Sequence, residues 1–183
     1  MGQVLTGHQH KVNILTLNRL KILNEKNEEI LISSLWKNNP VVLVFVRHFG
    51  CISCRGHIDQ VWNMRESIQK TGAKIYFIGS GSAYLISQFK KENSLESAVI
   101  YTDPTLATFK ASGLIHTNTA DLDSSSLRAI KELEARGYAL KIIENDGDDT
   151  QLGGVVFMKP PGQVTYHFIS EYIGDFDHPS DWK

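Results

Sequence analysis

An uninterrupted apolar run at residues 41–46, V-V-L-V-F-V, restricts the fold of this chain more than any other feature. β-Branched and aromatic side chains without polar alternation are typical of a strand buried on both faces, as the central strands of a parallel sheet are. Similar short runs occur at residues 74–78 and 99–101. We therefore predict three buried central strands.

Apolar residues at helical spacing separate these strands. They predict helices over residues 51–70, 84–92 and 106–112, and Gly72 and Gly113 mark the ends of the first and the third. Strands that alternate with helices form a largely parallel sheet with right-handed crossovers and helices on both faces. We expect that arrangement here.

Two hairpins are predicted at the ends of this pattern. Residues 20–33 read as two short strands around a polar turn, and residues 154–169 read as two longer strands around Pro161 and Gly162. Antiparallel strands at the edge of a parallel sheet complete the layout of a thioredoxin-like fold.

The remaining segments are interpreted as additions to one domain. Residues 114–151 are polar and predict an insertion with a helix over 125–136 and a mobile, solvated acidic loop at 145–149. A chain of 183 residues that is 42% hydrophobic supports one sizeable core. We predict a single α/β domain, residues 1–183: a thioredoxin-like fold with a central mixed sheet flanked by helices, an N-terminal extension (1–19) with a β-hairpin, and a helical insertion before the last hairpin.

Charge and hydropathy exclude several function classes. Nineteen basic and twenty acidic residues give a net charge of −1 without a block of like charges, so nucleic acid is not an expected partner. The apolar run at 41–46 is far shorter than the roughly 20 residues that span a bilayer. The N-terminus lacks the regions of a signal peptide, which predicts a cytoplasmic protein, although its first six residues fit the loose pattern for myristoylation at Gly2.

The chain has two cysteines, Cys51 and Cys54. Two are too few for a secreted disulfide scaffold or for the usual zinc site with four ligands, so C-x-x-C predicts a redox pair. The pair lies between a buried strand and a helix. A helix N-terminus stabilises a thiolate, which assigns the attacking role to Cys51, and Cys54, one turn later, is expected to be the more buried, resolving partner.

This pair predicts a definite reaction. The Cys51 thiolate attacks a peroxide or disulfide, Cys54 displaces the product, and the enzyme ends with a Cys51–Cys54 disulfide. No bound cofactor is predicted. An external thiol reductant is expected to reset the pair: thioredoxin, glutathione or an NADPH-linked reductase.

Neighbouring residues are candidates for supporting roles. Arg47, His48 and Arg55 flank the pair and would favour a thiolate, while Gly50 leaves room for close approach. The alternatives are that Arg47 caps the strand, His48 satisfies a loop carbonyl and Arg55 is solvated. Thr102 follows the third strand at the same sheet edge, where it either lines the site or takes part in a turn.

Two other interpretations of the cysteines stay open. Both thiols would pack as small inert hydrophobes if the spacing were accidental. His48 and His57 would complete a four-ligand metal site with the two cysteines, but we predict no metal.

Several motifs resemble a known family. The segment 43–55, L-V-F-V-R-H-F-G-C-I-S-C-R, is similar to the signature of AhpC/TSA-type peroxiredoxin-like proteins, the peroxiredoxin-like 2 group. Further similar motifs are L-W-K at 35–37, Y-T-D-P at 101–104, Q-L-G-G-V at 151–155 and, near the end, G-D and D-H-P. The resemblance covers roughly residues 20–183.

The resemblance implies a thioredoxin-like fold and a thiol-dependent oxidoreductase with Cys51 attacking and Cys54 resolving. Some relatives are antioxidant proteins, and one branch reduces a prostaglandin endoperoxide. The chain lacks the Pro-x-x-x-Thr/Ser-x-x-Cys loop of true peroxiredoxins. Gly153 and Gly154 stand where thioredoxin has a proline, and they would let a substrate or the sulfurs approach the backbone.

The sequence therefore predicts a thiol oxidoreductase that reduces a peroxide, an endoperoxide or a disulfide. The main alternative is a redox-sensing module with little turnover, in which the insertion binds a partner. The third is a structural domain with inert thiols, and a homodimer stays open.

Overall fold

The computed structural model describes residues 11–117 and 122–182. Gly2, with its myristoylation pattern, lies outside them. One seven-stranded mixed sheet organises the chain, in the order β2-β1-β5-β4-β3-β6-β7. Its strands are β1 (Lys21–Leu23), β2 (Glu29–Leu31), β3 (Val41–Phe45), β4 (Lys74–Gly79), β5 (Val99–Thr102), β6 (Gly154–Lys159) and β7 (Gln163–Ile169).

Six α-helices connect or cover these strands. They are α1 (Ile14–Leu17), α2 (Ile52–Asn63), α3 (Arg65–Gln69), α4 (Leu85–Glu92), α5 (Ala107–Ala111) and α6 (Ser124–Ala135). Short 3₁₀ turns lie at Ile32–Trp36 and Pro179–Asp181. None of the helices in the described ranges is long and apolar enough to cross a membrane.

Strand pairing confirms the predicted mixed sheet. β3, β4 and β5 pair in parallel through the connections that contain α2 and α4. β1 and β2 form the first hairpin, and β1 also pairs with β5 in antiparallel orientation. β6 and β7 form the last hairpin, and β6 joins β3 antiparallel, with Phe45 opposite Gly154. The carboxyl end of β3 therefore lies beside the start of β6.

The central strand β3 divides the core into two layers. Val42 and Val44 belong to the cluster that contains Cys51, Cys54 and the inner face of α2. Alternate residues Val41, Leu43 and Phe45 belong to the cluster on the opposite face, with Trp36 and Phe109. Successive strand side chains point to opposite faces, so every residue of β3 is buried and helices cover both sides, as predicted.

Three local predictions differ from the structure. The single helix expected over 51–70 is two helices, because Met64, at φ −98° and ψ 5°, leaves the helical geometry and ends α2. The N-terminal extension contains α1, whose four residues are too few for a periodic signal. α6 begins one residue early because the Asp123 carboxylate accepts a hydrogen bond from the Ser126 N–H and caps it.

The described part of the insertion packs on the helix that carries the cysteines. Leu133 of α6 is buried against Gly56 of α2, where a Cβ would overlap the Leu133 side chain. The chain then returns as an irregular segment, residues 138–149, which we call the strap. The strap runs past the loop between β3 and α2, and its contacts there shape the site described next.

Candidate active site

Cys51 and Cys54 occupy the first turn of α2. Cys51 is the N-cap, with extended backbone at φ −62° and ψ 124°, and its sulfur accepts the Cys54 N–H at 3.4 Å. The Cys54 sulfur accepts the backbone N–H of Arg47 at 3.2 Å. Both cysteines are free thiols. Each sulfur therefore lies at a backbone N–H donor.

The prediction that Cys54 would be the more buried sulfur is wrong. Cys51 is 1% exposed and Cys54 is 4% exposed. The reason is that the strap packs against the loop that leads into the N-terminus of α2. Access to Cys51 therefore requires movement of a neighbouring segment.

Arg47 holds its guanidinium at the Cys51 sulfur. Its Nη1 donates to Cys51 Sγ at 3.3 Å, and its Nε donates to the Gln151 carbonyl at 3.0 Å. Its second terminal nitrogen donates to the Asp149 carbonyl. These bonds fix a buried cation beside the sulfur, where it favours the thiolate.

His48 connects Cys51 with the strap. Its Nδ1 lies 2.7 Å from the Asp146 carboxylate, and the same carboxylate oxygen accepts the Gly50 N–H at 3.0 Å. Burial lowers the pKa of His48, but its interactions with Cys51 and Asp146 outweigh burial and leave that pKa raised. A protonated His48 is thus favoured between two groups that carry or develop negative charge.

The acidic stretch at 145–149 is therefore not the solvated loop that we expected. The Asp146 side chain is only 17% exposed. The backbone on either side of it is bonded as well, because the Asp146 carbonyl accepts the Phe49 N–H and the Asn145 carbonyl accepts the Ser82 N–H, both at 2.9 Å. Composition suggested mobility, whereas the partners of this segment, His48, Phe49, Gly50 and Ser82, lie far earlier in the sequence.

The two thiols have opposite acidities. Burial raises the pKa of Cys51, but hydrogen bonds with Cys54 and His48 and the positive charges of Arg47 and His48 hold it well below its ordinary value. Burial raises the pKa of Cys54, and the neighbouring Cys51 raises it further, well above its ordinary value. The surroundings therefore favour the thiolate at Cys51 and the thiol at Cys54, which suits an attacking and a resolving cysteine.

Ser53 is a site residue that the sequence reasoning missed. Its Oγ lies 3.0 Å from Cys51 Sγ, and the residue is buried. The available signal was its place between the two cysteines in the first helical turn. A hydroxyl there can donate to the sulfur or to an oxygen bound next to it.

Gly50 and Arg55 fasten the strap. A Cβ on Gly50 would overlap the Asp146 carboxylate and the Lys141 carbonyl, so only glycine permits this approach. The Lys141 N–H donates to the Gly50 carbonyl at 3.0 Å. Arg55 is buried, not solvated, and its Nη1 donates to the Ala139 carbonyl at 3.0 Å. Its hydrogen bonds go to carbonyls and none of them to a sulfur.

Thr102 has a structural place. It is fully buried, and its hydroxyl donates to the carbonyls of Gly79 and Gly81. The next residue, Asp103, accepts the backbone and side-chain donors of Thr108, in the first turn of α5, at 2.7 Å. Of the two roles considered for Thr102, lining the site or taking part in a turn, these contacts fit the second.

Gly153 and Gly154 allow close packing of backbone at the start of β6. A Cβ on Gly153 would lie 2.5 Å from the Phe45 carbonyl oxygen, and one on Gly154 would lie 2.5 Å from the Phe168 carbonyl oxygen. Gly153 also lines a small cavity beside Cys54. The lack of a side chain at Gly153 thus lets β3 and β6 lie close together and leaves the Gly153 backbone in the same cavity as Cys54.

The four-ligand metal site is not assembled. Within residues 11–117 and 122–182, no three His, Cys, Asp or Glu side chains are grouped to hold a metal ion. His57 lies inside the fold instead, where its ring stacks on Phe176 with centroids 4.6 Å apart. The site is built from two thiols, a guanidinium, an imidazole and a hydroxyl.

Comparison with curated proteins supports a thiol oxidoreductase family. A chloroplastic thioredoxin-like protein (AAED1) of Arabidopsis thaliana is 28% identical over 160 residues, which cover 84% of this chain but only 64% of the plant protein. Prostamide/prostaglandin F synthase of Salmo salar is 26% identical, covering 91% of this chain and 84% of that protein. Human peroxiredoxin-like 2C is 25% identical, covering 87% and 73%.

Solved structures show the same fold. Reduced Prx3 of Vibrio vulnificus, in complex with hydrogen peroxide, superposes with a TM-score of 0.62 at 14% identity, covering 87% of this chain and 86% of that chain. Peroxiredoxin Q of Xanthomonas campestris gives 0.58 at 14% identity, covering 86% and 84%. The thioredoxin-like fold predicted from the sequence is confirmed.

A family model assigns the chain directly. The model of the AhpC/TSA antioxidant enzymes matches residues 60–172, which begin after the cysteine pair and include the strap, β6 and β7. The match covers the larger part of the chain. Together with the fold and its paired thiols, it makes this protein a thioredoxin-like oxidoreductase of the AhpC/TSA antioxidant enzyme family.

Proposed function

We propose that this protein reduces a hydroperoxide through a Cys51–Cys54 thiol cycle and is reset by an external dithiol of the thioredoxin type. One observation carries the proposal. The Cys51 sulfur lies 3.3 Å from the Arg47 guanidinium and 3.0 Å from the Ser53 hydroxyl, at the N-terminus of α2. This arrangement stabilises a thiolate and offers donors to an oxygen leaving it.

The first step is attack on the peroxide. The Cys51 thiolate attacks the terminal oxygen of ROOH, the O–O bond breaks, and its electron pair leaves on RO⁻. Cys51 becomes a sulfenic acid, and RO⁻ takes a proton to become ROH. Arg47 and Ser53 are placed to stabilise the negative charge that moves from sulfur to the leaving oxygen.

The second step closes the disulfide. The Cys54 sulfur, one helical turn away, attacks Cys51, the S–O bond breaks, and hydroxide leaves as water after gaining a proton. A reductant dithiol then attacks the disulfide and carries away two electrons, which restores both thiols. The cycle needs no bound cofactor.

Burial favours a small substrate. The cavity beside Cys54 is about 10 Å³, and Cys51 is 1% exposed, so a folded protein, whether a disulfide substrate or thioredoxin itself, reaches the sulfurs only after the strap moves. A hydroperoxide needs only a narrow path. Prostamide/prostaglandin F synthase is among the similar proteins, so an organic endoperoxide belongs in the substrate set to be tested.

The test is a coupled turnover assay. NADPH consumption is followed with thioredoxin and its reductase, with hydrogen peroxide, tert-butyl hydroperoxide or a prostaglandin endoperoxide as substrate. Cys51→Ser should abolish turnover. Cys54→Ser should allow one oxidation to the sulfenic acid, which a cyclic diketone traps for mass spectrometry. Turnover by Cys51→Ser at the wild-type rate would refute the proposal.

The strap supports a second candidate, a redox sensor with little turnover. It holds both sulfurs out of solvent through Gly50, His48 and Asp146. A sensor would form the disulfide stoichiometrically but consume NADPH no faster than the Cys51→Ser protein. The same assay, run beside a count of free thiols, separates the two functions.

A further inference from the structure

His57 is a buried titratable side chain that the proposed cycle leaves unused. It is 4% exposed, and its Nε2 has no hydrogen-bond partner among the described residues. A buried polar group without a partner is unfavourable, which makes a bound water or a functional role the natural explanation. Its ring stacks almost parallel on Phe176, with 10° between the planes, so its orientation is fixed.

A small cavity joins His57 to the resolving cysteine. It is lined by Cys54, His57, Ser53, Arg47, Gly153 and Phe176 among others, and its volume is about 10 Å³. That is about the space one water molecule needs, and the lining offers it polar partners. Cys54 and His57 are three residues apart on α2, so their side chains share one face of the helix.

We infer that His57 accepts the proton of Cys54 when the disulfide closes, through one water molecule in this cavity. The inference rests on the thiol cycle proposed above. The Cys54 S–H bond breaks, the proton passes to His57, and the sulfur attacks Cys51. Hydroxide leaves Cys51 and takes the proton back from the imidazolium, so the step ends with a disulfide, a neutral imidazole and one water.

The charges around the cavity suit this role. Burial and the neighbouring Cys51 raise the pKa of Cys54, so that thiol does not ionise unaided. Burial lowers the pKa of His57 to about 4, so the imidazole has a free lone pair at pH 7 but is a weak base, and it accepts the proton only as the negative charge developing on the Cys54 sulfur stabilises the imidazolium. Arg47 and Tyr172 are the other charged or titratable side chains along the cavity, and Arg47 is engaged with Cys51.

The test separates resolution from attack without using a peroxide. Dithiobis(nitrobenzoate) reacts with Cys51 and releases one thionitrobenzoate, and Cys54 then displaces the second as the disulfide forms. The two phases are followed by stopped-flow absorbance in the wild type and in His57→Gln, which keeps a polar side chain but has no basic nitrogen. Phe176→Leu is the matched control, since it removes the stacking but keeps the imidazole.

In His57→Gln we expect the rate of the first phase to stay within about twofold of that in wild type. The rate of the second phase should fall by roughly 100-fold, which is a usual contribution of a general base. The wild-type second phase should be flat from about pH 6 to 8, whereas that of the variant should rise about tenfold per pH unit as hydroxide replaces the imidazole. Phe176→Leu should keep the flat profile.

Equal second phases in wild type and His57→Gln would overturn the inference, as would equal slowing in Phe176→Leu. If His57→Gln fails to fold, the wild-type profile decides alone, since a tenfold rise per pH unit between pH 6 and 8 would exclude the imidazole as acceptor. Failure of the proposed peroxide cycle would give a different result from failure of this inference. A protein that reduces no peroxide but shows both phases refutes the peroxide cycle and leaves the role of His57 standing.

Discussion

The reactivity of Cys51 depends on the few groups within hydrogen-bond distance of its sulfur. Arg47 and Ser53 contact it through side chains, and Cys54 contributes a backbone N–H. A cation beside a thiol lowers its pKa because it stabilises the thiolate. Arg47, like His48, is therefore a residue whose removal should lower the reactivity of Cys51 without removing a sulfur.

Arg47→Met should raise the pKa of Cys51, because the positive charge beside the sulfur is lost, and should slow its alkylation at pH 7 by about tenfold. The pH dependence of iodoacetamide labelling, located by mass spectrometry, measures both. Arg47→Lys keeps the charge and should recover most of the rate. An unchanged pKa in Arg47→Met would show that the guanidinium does not stabilise the thiolate.

His57 also predicts how stability depends on pH. Because its folded pKa, about 4, lies below the ordinary 6.5, the unfolded chain binds more protons between these values, and stability falls as pH falls through that window. The loss attributable to His57 is about 3 kcal/mol from pH 6.5 to pH 4, at 1.36 kcal/mol per unit. Urea unfolding should show this slope in wild type.

His57→Gln should flatten the slope by that amount, because glutamine does not titrate. The control is His178→Gln, at a histidine whose hydrogen bond with Ser180 is exposed, and the slope caused by His57 should persist in that variant. Identical slopes in His57→Gln and wild type would mean that His57 is not held neutral in the folded protein.

Part of this site could be predicted residue by residue. The roles of Cys51 and Cys54 follow from two cysteines between a buried strand and a helix, and Arg47 and His48 were close enough in sequence to be suspected. Ser53 carried only a weak signal. Asp146 gave no signal, because an acidic segment is normally interpreted as a solvated loop. Its partners, His48 and Gly50, are almost a hundred residues earlier in the sequence.

At the level of elements, the strap is the part that the sequence could not place. Buried strands were found from continuous apolar runs, and helices from their spacing and terminal glycines. The strap has no period, and its position depends on polar contacts that the backbone forms with Gly50, Phe49, Arg55 and Ser82. Such contacts follow from the tertiary fold rather than from local preference.

Removing the Asp146 side chain should loosen the strap. Asp146→Ala leaves the His48 imidazole and the Gly50 N–H without their carboxylate, which should lower the free energy of unfolding by about 1–3 kcal/mol. Hydrogen exchange of residues 138–149, followed by mass spectrometry, should speed up more than exchange in β3 or β4. Asp149→Ala removes the same charge from an exposed side chain of the same acidic stretch.

The Asp149→Ala protein should exchange at 138–149 like the wild type. If Asp146→Ala does so as well, the carboxylate is not what fastens the strap, and the burial of Cys51 must rest on the contacts of Gly50 and Arg55 instead.

At the level of the whole molecule, one sheet carries two hydrophobic layers. Trp36 lies in the layer on one face, and Trp62 packs against the layer on the other, with Phe77 at 6.2 Å between ring centroids. β3 contributes alternate side chains to both layers, so neither layer can separate without breaking the central strand. The predicted single domain should therefore unfold as one unit.

Fluorescence of single-tryptophan variants tests this cooperativity. One variant keeps Trp36 and the other keeps Trp62, with the remaining tryptophans changed to phenylalanine. In each variant, the urea midpoint by fluorescence should coincide with that by far-ultraviolet circular dichroism. Separate midpoints would show that the two faces of the sheet unfold independently.

The central claim is that Cys51 and Cys54 form a redox pair, and it is tested most directly by mass spectrometry of the native protein. The reduced protein is mixed with one equivalent of hydrogen peroxide, quenched by acid and digested. We expect two free thiols to fall to none, with a disulfide between Cys51 and Cys54, and Cys54→Ser to stop at a sulfenic acid on Cys51. Two thiols that persist in the folded wild type would contradict the account.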